Sequence, residues 1–205
     1  MDIIIIPASN IIDPIMASDE ARYALKHQTE SGAKLQGIYQ CDQYRNGVLI
    51  AGGYPEPPNL FTTEGMAYLL NVMFFTTSKA ASLIWYVGIY TNNVTPASGN
   101  TAAACLGAAG TFGEGQDSDY DDPATNKPSY TTATTAIAEI TNAVAGKAEF
   151  TIANTITVYG AFLNSVAAKT ATTGTLISAK KFTASRAVIA DDELAVSYKI
   201  SLTSS

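Results

Sequence analysis

The feature that most constrains this chain is a strict alternation of apolar and polar side chains in its last third. In Leu194–Leu202 every second residue is a large apolar one, and Ala, Ser, Lys and Ser stand between them. Residues 148–152 and 156–162 show the same period, with Ile156, Val158, Gly160 and Phe162 as the apolar set of the second segment. Because successive side chains of a strand point to opposite faces, each segment predicts a strand with one buried face.

Turn-forming pairs separate these segments, at Ala153-Asn154, Thr173-Gly174 and Asp191-Asp192. Leu83–Tyr90 reads LIWYVGIY, which is too apolar for a surface strand and predicts a central one. Alternating strands joined by turns are typical of antiparallel meanders and jelly rolls. We therefore expect a mainly β protein, an antiparallel jelly-roll-like β-sandwich with one or two short helices.

The strongest helix signal follows residue 61. Thr62 or Thr63 is placed to cap the helix, and Glu64 favours its positively polarised first turn. The apolar residues then recur at i, i+3, i+4 and i+7, namely Met66, Leu69, Leu70 and Met73. This spacing predicts a helix whose apolar stripe faces the core.

Pattern and composition divide the chain at residue 58. Residues 1–58 read as an N-terminal arm or small subdomain, and 59–205 as the sandwich domain with a long loop at 91–130. The arm begins with an isoleucine run that needs a pairing strand, and it ends in a proline-rich extended spacer. We expect it to contact a neighbouring molecule through Ile3, Ile4, Ile5, Ile6, Pro55, Pro57 and Pro58.

Composition narrows the classes of function. Charged residues make up 15% of the chain against roughly a quarter in ordinary globular proteins, which suits a surface that is largely covered by partners. The net charge of −6 disfavours a nucleic-acid partner, because phosphate backbones attract clustered Lys and Arg. No apolar run approaches the ~20 residues of a membrane span, and the first residues lack the pattern of a secretory signal. We expect no membrane partner and synthesis in a cytoplasm.

Catalytic and cofactor motifs are sparse. His27 is the single histidine, so a Ser-His-Asp or Cys-His arrangement has little support. The glycines lack phosphate-cradling spacing, and Cys41 and Cys105 are too few for a disulfide framework or a metal site. A glycosidase built on Glu114 and a nearby aspartate would need a rigid pair of carboxylates, which a loop supplies poorly. We predict no enzyme activity and no cofactor.

The acidic segment 114–122 is the sharpest local feature. Its alternate carboxylates suggest a site for a hard cation such as Ca²⁺, but Asp122 stands where the EF-hand loop needs glycine. A solvated acidic loop is the alternative and the one that we expect, since such spacing also occurs in ordinary polar turns. We therefore assign no metal ligands.

A resemblance adds to this interpretation. Residues 59–66 and Trp85–Tyr90 resemble the beginning of small structural proteins of tailed bacteriophages. Val158–Leu163, Gly174–Leu176 and the closing strand Leu194–Leu202 are similar to later parts of the same proteins. The likeness runs from residue 59 to the end of the chain, and its motifs are structural.

The resemblance implies a virion protein assembled in the host cytoplasm. We expect a capsid decoration or cement protein, a homo-oligomer that stabilises the shell by binding the major capsid protein and neighbouring copies. The alternative is a tail or head fibre or receptor-binding component with a carbohydrate site. Trp85, Tyr86 and Tyr90 are candidates to stack on sugar, although so apolar a strand favours their burial in the core. Fibre repeats and heptads are absent from the sequence.

Overall fold

The computed structural model describes residues 33–75, 85–121 and 123–204, and within them the chain is mainly β. None of the helices in this part of the chain is long and apolar enough to span a membrane. The helices are α1 (Thr63–Phe74) and α2 (Ala102–Cys105). The strands are β1 (Ala33–Arg45), β2 (Val48–Ala51), β3 (Leu60–Phe61), β4 (Trp85–Tyr90), β5 (Ser129–Tyr130), β6 (Glu139–Thr141), β7 (Ala148–Thr151), β8 (Ile156–Asn164), β9 (Leu176–Val188) and β10 (Glu193–Ser204).

The strands form two antiparallel sheets. The first has the order β2-β1-β10-β6, and β7 also pairs with β10, beside residues 193–196, while β6 pairs beside residues 199–201. The second has the order β3-β9-β8-β4-β5, so β4 lies inside the sheet, as its apolar sequence predicts. This architecture confirms the antiparallel sandwich with short helices, and the jelly-roll connectivity stays a prediction.

The main core lies between the two sheets. Tyr39 of β1 stacks on Tyr198 of β10 at 4.0 Å between ring centroids, and both side chains are fully buried. From the second sheet, Val87, Val158 and other buried residues pack against this pair within the same cluster. The alternation in β7 and in the first half of β10 therefore points its apolar side chains into this core, as predicted.

Strand β8 departs from the predicted pattern. The pairing of β8 with β9 shifts register between Val158 and Gly160, and such a bulge reverses the faces of the residues that follow it. Val158 consequently points into the main core, whereas Phe162 lies in a second cluster on the other face of the sheet. The prediction that Ile156, Val158, Gly160 and Phe162 share one face is wrong, because the alternation is interrupted within the strand.

The side chains that pack against Phe162 in that second cluster come largely from the predicted loop 91–130. It contains α2 and β5, and it buries Ala102, Leu106 and Phe112 against Phe162. Phe112 also stacks on Tyr90 at 4.9 Å. The segment is therefore a covering layer on the second sheet, and its interior contacts come from its own chain.

The sandwich also begins earlier in the chain than residue 58, where the sequence pattern predicted its start. β1 and β2 precede residue 58, yet both are strands of the first sheet, and the compact unit that contains the sandwich runs from Leu35 to Leu202. The turn between them is Asn46-Gly47, with φ of 52° and 74°, a pair that favours tight hairpins. Part of the predicted arm, β1 and β2, therefore belongs to the first sheet, because β1 hydrogen-bonds to β10. Ile3, Ile4, Ile5 and Ile6 lie outside the described residues.

Candidate interaction surfaces

Helix α1 is fixed to the sandwich by its first turn. The Thr62 hydroxyl accepts the backbone N–H of Gly65 at 3.0 Å, which confirms the predicted cap, and it donates to the Leu176 carbonyl. The Glu64 carboxylate accepts the N–H groups of Ala102 at 2.9 Å and of Leu176 at 3.0 Å. A Cβ on Gly65 would lie 2.5 Å from the backbone of Ile177, so only glycine allows so close a contact.

Beyond this first turn, α1 exposes a continuous apolar surface. Met66, Leu70 and Met73 of the predicted stripe are 40%, 59% and 67% exposed, and Phe74 and Phe75 extend the surface to the end of the helix. The prediction that the stripe faces the core is wrong for these three residues, and Leu69, its fourth member, is half-buried. The helix docks through its cap, Glu64 and Gly65, and through Tyr68, which packs against the main core, so the opposite side of the helix is the exposed one. We call Met66, Leu70, Met73, Phe74 and Phe75 the α1 surface.

The β1–β2 hairpin presents a second exposed apolar group. Val48, Leu49 and Ile50 of β2 are between 47% and 63% exposed, and Tyr54 just beyond the strand is 81% exposed. Among the strands that the structure describes, β2 lies at the edge of the first sheet. This group was not predicted, although the Asn46-Gly47 pair was a usable sequence signal.

The proline-rich segment 54–59 joins the two sheets. Its backbone follows β1, with Glu56 N–H donating to the Tyr39 carbonyl at 2.7 Å and Asn59 N–H donating to Gly37 at 2.9 Å. The buried Glu56 carboxylate accepts the backbone N–H and the hydroxyl of Thr183 in β9, at 2.8 and 2.7 Å. The predicted interaction residues Pro55, Pro57 and Pro58 surround this buried acid and are themselves exposed.

A cleft of about 330 Å³ opens beside this segment. Its lining comes from Pro58 and Leu60, from residues 179–183 of β9, and from Thr95 and Pro96 of the covering layer. Three separate pieces of the chain thus meet at one concave site, which we call the β9 cleft.

Two of the lysines that line the β9 cleft differ from the other basic side chains of the sandwich unit in their bonding partners. Within the sandwich unit, Arg45, Lys127, Lys147, Arg186 and Lys199 all pair with carboxylates. Lys169 donates to the carbonyls of Tyr120 and Ala124. Among the described residues of this unit, Lys180 and Lys181 are the basic side chains that have neither a carboxylate partner nor a hydrogen bond.

The acidic segment is integrated into the fold. Glu114 is buried and paired with Lys127, while Asp119 and Asp121 accept the backbone N–H groups of Gln116 and Thr151 at 2.7 and 2.8 Å. The described residues include no group of three or more His, Cys, Asp or Glu side chains that could hold a metal ion, and Asp122 is outside them. These carboxylates accept hydrogen bonds from backbone N–H groups of the same chain. The segment is therefore not the freely solvated loop that we expected from the sequence.

The aromatic and thiol candidates are placed in or beside the cores. Tyr90 is fully buried, Trp85 packs edge-on against Tyr68 at 5.5 Å, and both Trp85 and Tyr86 are half-buried. Cys41 and Cys105 are both buried free thiols, and burial raises the pKa of Cys41 to about 12. His27 lies outside the described residues.

No family model matches the chain, and a search of the curated proteins returns no match.

Proposed function

We propose that this chain is a structural protein of a tailed-phage virion, a capsid decoration or cement protein that binds the major capsid protein and neighbouring copies. The resemblance of residues 59–205 to small structural proteins of such phages is the reason for proposing a virion protein. The weakly charged composition and the two-sheet body suit a protein that acts by covering another surface.

The α1 surface is the observation that carries the proposal. Four large apolar side chains of α1, and Phe75 directly after it, are between 40% and 78% exposed, while the helix is anchored at its first turn. A contiguous exposed apolar patch marks an interaction site more often than ordinary surface. A helix presented in this way fits a hydrophobic groove on a partner, through anchors spaced at i, i+4 and i+7. Met66, Leu70 and Met73 have that spacing, and we assign the partner groove to the major capsid protein.

The test compares variants of α1 in particle assembly. The variant Leu70→Asp/Met73→Asp places two charges on the α1 surface, and Asn71→Asp is the control because it adds a charge at an exposed polar position of the same helix. Each is supplied to a phage that lacks the gene, and its amount in purified particles is measured by immunoblot. We expect the double variant to be lost from particles and the control to be incorporated like the wild type.

A thermal melt of each isolated protein separates docking from folding. The proposal predicts equal melting temperatures for all three proteins, because the substituted side chains are exposed. Normal incorporation of the double variant would contradict the proposal. A clear drop in its melting temperature would also contradict it, because the surface would then be covered by the protein's own chain.

A further inference from the structure

We propose that two copies of this chain pair through strand β2, around a two-fold axis that places Leu49 of one copy opposite Leu49 of the other. The inference names a surface for the contact between copies, so it rests on that part of the proposed function. The α1 surface has no part in this contact, and the two proposals can therefore fail separately.

The turn geometry of the β1–β2 hairpin directs the backbone of Leu49 outward. Asn46 and Gly47 both have positive φ, as in a type I′ turn, so Arg45 and Val48 form the hydrogen-bonded pair that closes the hairpin. The backbone groups of successive residues point to opposite sides of a strand, so the N–H and C=O of Leu49 point away from β1. Among the described strands β2 lies at the edge of its sheet, and these two groups are free to bond to another strand.

The sequence of this edge lacks the residues that commonly protect one. Residues 48–54 read VLIAGGY, with neither a charged residue nor a proline. Edge strands that stay unpaired commonly carry lysine or proline, which oppose pairing with another chain. Val48, Leu49 and Ile50 are instead 63%, 47% and 47% exposed, so both the side chains and the backbone of β2 suit a partner strand.

The distribution of charge favours a second copy as that partner. A two-fold contact brings each residue close to its own equivalent, so any unpaired charge in the contact would meet a like charge. The charged residues beside the hairpin are already paired within the chain, Arg45 with Asp192 at 2.7 Å and Asp42 with Lys147 at 2.6 Å. The chain as a whole carries −6, yet the surface of β2 meets its own copy without repulsion between unpaired charges.

The register of the pair follows from its symmetry. With Leu49 on the axis, the two copies exchange both N–H···O=C bonds of that residue, and Val48 lies opposite Ile50 of the partner copy. Such apolar cross-strand pairs stabilise a sheet. Ile50 is the extra residue of a bulge, because Tyr44 pairs with Leu49 whereas Gln43 pairs with Ala51. The bulge limits the length of the pairing, and each copy uses its β2 edge once, so the contact closes as a dimer.

The small size of the contact predicts weak association. One hydrogen-bonded pair and three apolar side chains per copy fall below the ~1,200 Å² of a standard interface, so we expect a dissociation constant on the order of 100 µM. Copies held side by side on a shell have effective concentrations in the millimolar range, at which such a contact is largely formed.

Sedimentation equilibrium of the isolated full-length protein, from about ten micromolar to about one millimolar, measures this association. We expect a monomer–dimer equilibrium in the wild type. Leu49→Asp should weaken it at least about tenfold, because two carboxylates would then lie directly opposite each other. The α1 variant Leu70→Asp/Met73→Asp is the control and should dimerise like the wild type, which separates this contact from the capsid contact.

Disulfide formation tests the register. In a hydrogen-bonded pair the two Cα atoms of residue 49 lie about 5.5 Å apart, within the range of a disulfide, so Leu49→Cys should give covalent dimers on mild oxidation. Val48→Cys is the matched control, because its two copies are diagonal neighbours at about 7–8 Å and should cross-link much more slowly, although Val48 is the more exposed residue. The native Cys41 and Cys105 are both buried.

Four results would overturn the proposal. A monomer throughout the concentration range would exclude the dimer, and normal dimerisation of Leu49→Asp would place the contact elsewhere. Equal cross-linking of Val48→Cys and Leu49→Cys would contradict the two-fold register. A clear drop in the melting temperature of Leu49→Asp would show that the protein's own chain covers this residue. None of these results bears on incorporation through the α1 surface.

Discussion

Glu114 and Lys127 form an ion pair that is completely shielded from solvent, with 2.8 Å between the carboxylate Oε1 and the ammonium Nζ. The second carboxylate oxygen accepts the N–H of Gly107 at 2.8 Å, and the ammonium also donates to the carbonyl of Ala168 at 2.6 Å. Burial lowers the pKa of Lys127, and the neighbouring carboxylate opposes that shift. The pair thus joins the covering layer to the turn that follows β8.

Removing one member of this pair should be costly. Lys127→Met leaves the Glu114 carboxylate buried without its counter-ion, and we expect a loss of about 3–5 kcal/mol in the free energy of unfolding. Urea denaturation followed by circular dichroism measures this loss. Lys199→Met is the matched control, because its pair with Glu139 is exposed and should contribute less than about 1 kcal/mol.

The double variant Glu114→Gln/Lys127→Met sharpens the test. It removes both charges, so it should recover a large part of the stability that Lys127→Met loses. A double variant that is no more stable than Lys127→Met would show that the charges are not what makes the single variant unstable.

Acid should destabilise the protein through Asp192. Hydrogen bonds from Arg45, with those from Ile189 N–H and Gln43, hold the pKa of this carboxyl at about 2, below its ordinary value of 3.8. A pKa that is lower in the folded state gives stability that is complete above the ordinary pKa and is lost as the pH falls through the folded pKa. We therefore expect this contribution to disappear between pH 3.8 and about 2.

The variant Asp192→Asn isolates that contribution from other carboxylates. Thermal melts of both proteins across the acid range should show a wild-type advantage that is constant near neutral pH and shrinks below pH 3.8. An advantage that is independent of pH would show that the charge of Asp192 does not stabilise the fold.

The turn between β1 and β2 should depend on the conformation of one glycine. Gly47 has φ of 74°, and a Cβ there would meet nothing within 4 Å, so any cost of Gly47→Ala is conformational. We expect a loss of about 1 kcal/mol, measured by urea denaturation. Gly99→Ala is the control, because that glycine also has open space but no positive φ, and its substitution should be neutral or slightly stabilising.

Local patterns in the sequence predicted the elements that depend on local chemistry. The alternation around Phe150 and Tyr198, the Thr62 cap and the apolar run of β4 all form the expected structures. The bulge after Val158 was not predictable, because a change of face depends on pairing with β9 and leaves no mark in the period of β8 itself.

Contacts between distant parts of the chain account for the remaining differences between the predicted and the observed structure. The α1 stripe has the period of a buried face, and periodicity alone does not say whether the chain or a partner covers it. Glu114 lies in a run of acidic residues that suggests solvent, yet Lys127 and the covering layer bury it. The β9 cleft arises where Pro58 meets β9 across more than a hundred residues, so composition gave no indication of it.

The copy number of the chain in purified phage particles tests the central claim most directly. Quantitative mass spectrometry, with the major capsid protein as internal standard, gives this number without altering the protein. A decoration or cement protein that covers the shell should be present in hundreds of copies per particle, on the order of the capsid subunits themselves. Absence from purified particles, or a dozen copies or fewer, would contradict the role in the shell.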